Sequence, residues 1–223
     1  MADWATISAL ATAGGTLVLA VATFASVRSG NRAARLAERS LELGLRPLLM
    51  PSRLEDTAQK IQWGDDHGAR IEGGRSSVEI TDGNIYLAMS VRNAGTGIAV
   101  LHAWHVEPDV PRAPAQGPDL DRFRTEAREL RTDLDQFRPH IRDLYIPAGE
   151  VGFWQAAIRD QNDAAYAKLV EVIQRRELFT IDVLYGDHES GRRTISRFAI
   201  TPGSESVWLC AVVRHWSLDH PER

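Results

Sequence analysis

The segment LFTIDVLYGDHESGRRTISRFAI, residues Leu178 to Ile200, decides the fold class. Two stretches rich in apolar and β-branched residues, Leu178–Tyr185 and Arg193–Ile200, flank the polar connection Gly186–Gly191. Such stretches on either side of a glycine-bounded polar loop are typical of two antiparallel strands and their turn. The segment therefore predicts a β-hairpin within an antiparallel β domain.

A second hairpin is predicted upstream. Alternation in Asn84–Val91 places Ile85, Leu87, Met89 and Val91 on one face of a strand. The extended apolar run Ile98–Val106 follows after the turn-rich sequence 93–97, whose glycines we expect to supply positive φ angles.

Further short strands complete the β pattern. Leu144–Ile146 and Val151–Trp154 lie on either side of a Pro-Ala-Gly turn, and Val207–Val213 is a plausible last strand. The polar segment Gly64–Gly74 is expected to be a loop. Many short strands with Gly and Pro turns favour an Ig-like antiparallel β-sandwich.

Two helices are predicted within this domain, so the fold class is mainly β with α. Apolar residues recur every three or four positions between Asp119 and Phe137, which indicates an amphipathic helix. A second helix is predicted from Asp163 to Glu177, with its apolar side chains facing inward.

The run from Trp4 to Val27 contains no charged side chain. Roughly 20 such residues in a helix cross the apolar core of a bilayer, so the run predicts an N-terminal transmembrane helix. A cleaved signal peptide would need a basic start, and here only Asp3 is charged before the run, although the small-x-small triplet Ala20-Val21-Ala22 leaves cleavage open. A buried helix in a soluble core rarely has so long an uninterrupted apolar run.

The residues after the run predict its orientation. Arg28, Arg32, Arg35 and Arg39 follow it, and no Lys or Arg precedes it. The N-terminus is therefore expected outside the cell membrane and the rest of the chain in the cytoplasm. If the helix continues, the four arginines form one basic stripe facing anionic lipid headgroups. The single cysteine, Cys210, fits a reducing compartment.

Small residues predict a second surface on the same helix. Spacings of three, four and seven place them on one face, where they would allow close packing against another helix in a protein partner or a homo-oligomer. They are Ser8, Ala11, Gly15, Ala22 and Ala25. The predicted organisation is a transmembrane and juxtamembrane helix over residues 1–46 and a β-sandwich domain over residues 47–223.

Charge excludes one class of partner. Residues 1–46 carry five arginines and three acidic residues, a net charge of +2, and the whole chain has −4, so the remainder has −6. An acidic domain lacks the basic footprint of a nucleic-acid binder, and we expect no DNA or RNA partner.

No catalytic motif stands out, and we expect no cofactor. Acid and histidine residues in predicted loops are weak candidates for a metal site, since these groups could meet around a divalent ion. They are Asp65, His67, Asp187, His188 and Glu189. Cys210 lies in an apolar strand, where a buried thiol is usually inert.

The order of features resembles a class of uncharacterised single-pass bacterial membrane proteins, with a composition similar to actinobacterial members. The resemblance rests on Arg46-Pro47, on the Arg-Asn-x-Gly-x-Gly-x-Ala sequence from Arg92 to Ala99, and on two turn motifs. The turn motifs are Pro147–Glu150 and Tyr185–Gly191. The resemblance implies a membrane anchor followed by an Ig-like β-sandwich, and it implies no activity.

Two functional hypotheses follow. The first is a membrane-anchored interaction or accessory module without catalytic activity, whose biological role the sequence does not indicate. The second is a metal- or ligand-binding sensor, or a hydrolase, that uses the acid and histidine loops. Because the catalytic motifs are missing, we rank the interaction module first.

Overall fold

The computed structural model describes residues 3–108, 133–188, 193–204 and 206–219. For residues 4–11, 18 and 38–43 it describes the backbone alone. The chain divides into two units, Met1–Gly44 and Leu45–Arg223.

The first unit is one helix, α1 (Trp4–Gly44), of 41 residues. It continues well beyond Val27 because the following segment has high helix propensity and no proline before Pro47. In the described part of the chain, no helix is both long enough and apolar enough to cross a membrane. Most described side chains between 12 and 27 are Ala, Gly, Thr or Ser, which gain little in hydrocarbon. The structure therefore does not support the predicted transmembrane helix.

The second unit is built mainly of strands, with one α-helix, α2 (Tyr166–Gln174), and one 3₁₀ turn, Leu134–Gln136, in its described residues. The strands are β1 (Leu49–Pro51), β2 (Gln59–Gln62), β3 (Gly68–Ile71), β4 (Arg75–Thr81), β5 (Asn84–Asn93), β6 (Ala99–Glu107), β7 (Arg138–Ile146), β8 (Val151–Ile158), β9 (Phe179–Gly186), β10 (Arg193–Pro202) and β11 (Trp208–Ser217).

Nine of the described strands form one antiparallel sheet in the order β1-β5-β4-β11-β10-β9-β6-β7, with β8 also paired to β5. The sheet curls, since the indole rings of Trp104 on β6 and Trp154 on β8 lie 5.6 Å apart although these strands stand near opposite ends of the order. The antiparallel, mainly β prediction is confirmed. The strands form one curled sheet, however, and not the two sheets of an Ig-like sandwich.

The main core lies inside the curl. The alternation predicted for β5 is confirmed, because Ile85, Leu87, Met89 and Val91 are all buried in this core. Helix α2 contributes Leu169 and Val172 to the same core. Burial of this apolar surface is the main term that stabilises the sheet.

The hairpin that decides the fold class is confirmed. β9 and β10 pair antiparallel from Phe179↔Ile200 to Gly186↔Arg193, and β11 then pairs with the far edge of β10. Helix α2 is also confirmed, although it is shorter than the predicted range Asp163–Glu177.

The predicted helix Asp119–Phe137 is only partly covered. Its residues 119–132 lie outside the described residues, and the described end forms the 3₁₀ turn before β7 begins at Arg138.

Two of the predicted hairpins are wrong, because the strands they were expected to pair, β5 with β6 and β7 with β8, do not pair in the described ladders. In the described ladders, β5 pairs with β1, β4 and β8, whereas β6 pairs with β7 and β9. The segment 93–97 is therefore a crossover between distant parts of the sheet. Strands β7 and β8 are joined by the predicted turn, in which Glu150 N–H donates to the Pro147 carbonyl at 3.2 Å, but no described ladder links them.

The glycines of the crossover are needed for close packing. Gly95 and Gly97 are not among the glycines with positive φ, contrary to our expectation. A Cβ on Gly97 would overlap the Leu45 carbonyl, and one on Gly95 would overlap the Arg46 carbonyl. These two positions let the crossover lie directly against the segment by which the chain enters the domain.

Part of the predicted loop Gly64–Gly74 is a strand. β3 pairs with β2 in a separate two-stranded hairpin whose turn places Asp66 at φ 63°. Ile61, Trp63 and Ile71 of this hairpin pack on Tyr86 and Ala88, on the outer face of β5. The sequence pattern predicted a loop because most residues of the segment 64–74 are polar or glycine, and the few apolar residues gave no clear alternation.

Candidate functional site: a cleft at the seam of the sheet

The curled sheet is left open between β7 and β8. In the described ladders β7 pairs with β6 alone and β8 pairs with β5 alone, so each strand presents one free edge. The turn at 147–150 holds their ends together. A cleft of about 660 Å³, which we call the seam cleft, lies between them.

The seam cleft is bordered by β7, β8, the end of β2 with its turn, and one residue of β6. Its lining residues are Gln62, Trp63, Gly64, Trp104, Arg138, Pro139, His140, Ile141, Arg142, Leu144, Gln155, Ala156, Ala157 and Arg159. Three of them are arginines and none is an aspartate or glutamate.

A large bulge interrupts β7 beside the cleft. The ladder with β6 shifts from Leu101↔Leu144 to Ala103↔Pro139, so residues 140–143 have no regular partner on β6. Bulges redirect side chains and are common beside functional sites. Here the bulge carries His140 and Arg142, and the His140 ring centroid lies 6.4 Å from that of Trp154.

Arg138, which lines the cleft, is held by two contacts. Its Nη2 donates to Asp163 Oδ1 at 2.6 Å, and its Cζ lies 4.9 Å from the ring centroid of Trp104. The same Asp163 oxygen accepts a hydrogen bond from Ala165 N at 2.9 Å, next to the start of α2. The start of α2 therefore fixes the orientation of this guanidinium.

Arg159, which also lines the cleft, is held by a carboxylate. Its Nη2 and Nε donate to Asp65 Oδ2 at 2.8 and 3.1 Å, and the Tyr86 hydroxyl donates to the same oxygen at 2.7 Å. The bond from Tyr86, followed by the bond from Arg159, lowers the pKa of Asp65 to about 2. Asp65 is thus a structural anion beside the cleft.

Three buried polar atoms on β7 and β8 have no hydrogen-bond partner among the described residues; His140 and Gln155 line the cleft, whereas Trp154 belongs to the core. They are His140 Nε2, Trp154 Nε1 and Gln155 Oε1. Burial lowers the pKa of His140 to about 4, so its ring is neutral near pH 7. Buried polar atoms without partners are rare in folded proteins and call for an explanation.

Four of the five predicted metal candidates, Asp65, His67, Asp187 and His188, lie among the described residues. No group of three or more His, Cys, Asp or Glu side chains that could hold a metal ion is found there. Asp65 is bound to Arg159 and Tyr86, and His67 lies 3.1 Å from Glu79 Oε2 and stacks on Tyr86. Glu189 lies outside the described residues.

Cys210 is buried on β11, with its Sγ 3.6 Å from Met89 Sδ. Burial raises the pKa of this thiol to about 12. A thiol so far from ionisation is a poor nucleophile near neutral pH.

The surfaces predicted on α1 remain predictions about binding. Because α1 is continuous, the four arginines lie on one helical face, and Arg28, Arg32 and Arg35 are exposed. Among the small residues, Gly15, Ala22 and Ala25 are exposed. The side chains of Arg39, Ser8 and Ala11 lie outside the described residues.

Comparison of the chain with family models, with curated proteins and with solved structures found no match. The resemblance to bacterial single-pass membrane proteins therefore stays a prediction. The seam cleft has to be interpreted from its own chemistry.

Sequence reasoning missed the cationic residues of the cleft. The signal was present in Arg138, His140 and Arg142, which alternate along the chain as side chains on one face of a strand do. The pattern of apolar residues predicted a helix that ends at Phe137 and a strand that begins only at Leu144, so these cationic residues fell between the two predicted elements. The cleft can bind a ligand through guanidinium groups, an imidazole and two indole rings.

Proposed function

We propose that this chain is a membrane-attached interaction module without catalytic activity, in which α1 holds a β domain at the bilayer. The observation that carries the proposal is the exposure of large apolar side chains on α1. Leu17, Leu19 and Phe24 are 67%, 69% and 68% exposed, and Val21 and Val27 are also exposed. A helix that is apolar on most sides is normally covered by lipid or by protein.

The membrane part of the proposal rests on the sequence of α1. The uncharged run from Trp4 to Val27 includes residues 4–11, whose side chains the structure does not describe. The described residues alone provide no span that could cross a bilayer. The arginines that follow the run favour an N-terminus outside and a β domain in the cytoplasm.

The β domain then acts as an accessory unit that binds a partner. Its most reactive groups are occupied or buried, since Asp65 is bound to Arg159 and Tyr86 and Cys210 is enclosed in the core. A protein partner or a second copy of the chain would pack on the small-residue face of α1.

A ligand-binding sensor is the second candidate, and the seam cleft favours it. The residues that line the cleft are not those of the acid and histidine loops on which the sensor hypothesis was based. Asp65 alone connects the two, because it accepts hydrogen bonds from Arg159.

Carbonate extraction of membranes tests the proposed attachment. We expect the full chain to stay in the membrane pellet, and the variant L17R/V21R to be released, because charges at these positions are costly in lipid. L54R places an arginine at an exposed position of the β domain and should behave as the parent chain. A parent chain found in the supernatant, or equal retention of L17R/V21R, would contradict the proposal.

A further inference from the structure

We infer that the seam cleft binds a small organic anion, a carboxylate or phosphate ester carried on a planar apolar body. The inference rests on the cleft alone and does not depend on how the chain is attached to a membrane.

The charge of the lining selects an anion. Arg138, Arg142 and Arg159 all line the cleft, and no carboxylate does. The Arg142 side chain is exposed, and no side-chain hydrogen bond or ion pair links it to another described residue. A guanidinium matches the two oxygens of a carboxylate or phosphate and binds them through paired, charge-assisted hydrogen bonds.

Arg138 and Arg159 are each oriented by a carboxylate and still have N–H donors that a ligand can bind. Each guanidinium has five N–H donors. Asp163 accepts from Nη2 of Arg138, and Asp65 accepts from Nε and Nη2 of Arg159. These carboxylates hold the side chains in place, and further donors of each remain for a ligand.

The buried polar atoms supply the neutral part of the recognition. A neutral His140 ring donates from one nitrogen and accepts at the other, and the amide oxygen of Gln155 accepts. His140 Nε2 and Gln155 Oε1 belong to residues that line the cleft, and neither atom has a partner in the described structure. A bound polar molecule reached by a small shift of the bulge would satisfy them.

The remaining lining suits a planar apolar body. Trp63, Trp104 and Leu144 provide apolar surface, and the volume of about 660 Å³ is in the ordinary range for small-molecule sites. Cζ of Arg138 lies 4.9 Å from the ring centroid of Trp104, so an anion bound by this guanidinium would have its apolar body beside the indole.

Size and charge together argue against a polyanion. Residues 47–223 carry a net charge of −6 although three arginines line the cleft, so the domain is acidic outside the cleft. Such a surface repels a nucleic acid or a phosphorylated chain, whereas a small anion contacts the arginine-lined cleft alone.

Titration calorimetry on the full chain in a nonionic detergent tests the inference, with 2-naphthoate as probe and the neutral 2-naphthamide as its isostere. We expect saturable binding of one 2-naphthoate per chain, roughly tenfold tighter than 2-naphthamide, because charge-assisted hydrogen bonds are lost with the amide. A parallel titration with 1-naphthyl phosphate shows whether the site prefers a carboxylate or a phosphate.

Matched variants assign the binding to the cleft. R142Q should weaken 2-naphthoate binding roughly fivefold or more, whereas R53Q, at an exposed arginine 3.9 Å from Glu55, should leave it unchanged. Equal affinity for acid and amide, equal loss in both variants, or no saturable binding of any probe would overturn the inference.

Discussion

The guanidinium of Arg138 lies over the indole ring of Trp104, with its Cζ 4.9 Å from the ring centroid. The edge of that indole in turn meets Trp154 at a centroid distance of 5.6 Å. No described backbone ladder joins β7 and β8 at this seam of the curled sheet. Side chains from β6, β7 and β8 make the contact there instead. This arrangement closes the core on the inside and leaves the seam cleft beside it.

Asn93 is expected to be the most sensitive polar residue of the domain. It is fully buried, accepts hydrogen bonds from Leu48 N and Gly95 N, and donates to the carbonyls of Gly97 and Ile146. N93A should lower the free energy of unfolding by roughly 3 kcal/mol, because buried groups lose their partners. Urea denaturation measures this.

N84A is the control, since Asn84 is only partly buried and makes one long bond of 3.4 Å to the Tyr86 hydroxyl. It should cost less than about 1 kcal/mol. Equal costs for the two variants would show that the buried network is not what joins the crossover to the sheet.

Gly97 tests the close approach between the crossover and the domain entry. G97A places a Cβ into the Leu45 carbonyl and should destabilise the domain by roughly 2–4 kcal/mol. G64A adds the same methyl group where nothing lies within 4 Å and should be close to neutral. Thermal unfolding of the two variants compares them directly, and a neutral G97A would refute the packing explanation.

His140 gives a pH dependence with a defined sign. Its pKa of about 4 lies below the ordinary value of 6.5, mainly because burial disfavours the charged ring; Asp143 raises this pKa and His102 lowers it. The unfolded chain therefore binds more protons than the folded chain between these values, and the contribution of His140 to stability falls as pH decreases from about 6.5 to about 4.

NMR titration of the His140 ring, assigned with H140Q, measures this pKa. The ring should remain neutral at pH 6, and the loss of stability on acidification should be smaller in H140Q. A midpoint at the ordinary histidine value would mean that the ring is not buried at the cleft wall.

The buried thiol of Cys210 should be unreactive in the folded chain. With a pKa of about 12, almost none of it is thiolate at pH 8. Reaction with a thiol reagent should require denaturant, whereas the exposed control L54C should react at once. Comparable native rates for Cys210 and the introduced cysteine would contradict the burial.

The sequence predicted elements well where one face of a strand is buried. Alternation in β5 identified the core residues Ile85 to Val91, and the turn between Tyr185 and Arg193 identified a true hairpin. Pairing failed at Asn93 because a glycine-rich connection looks the same whether it turns back or crosses over. That difference depends on tertiary contacts with Leu45 and Arg46.

The candidate site was predicted less well than the fold. Trp104 and Trp154 are buried in the core, but the position of Trp104 beside a cleft depends on β7 and β8 facing each other without pairing. Arg138 and Arg142 share β7, whereas Arg159 follows β8, and only the curl of the sheet brings the two strands to one cleft. No local sequence pattern predicts that closure.

Cysteine accessibility in intact cells that express the chain tests the proposed membrane attachment most directly. Because Cys210 is buried, a membrane-impermeant maleimide can report on D3C, before the uncharged run of α1, and separately on L54C in the β domain. The account predicts that D3C is labelled from outside and that L54C is labelled only after lysis. Labelling of L54C in intact cells, or a chain that is labelled at neither position until lysis and is then found in the soluble fraction, would contradict it.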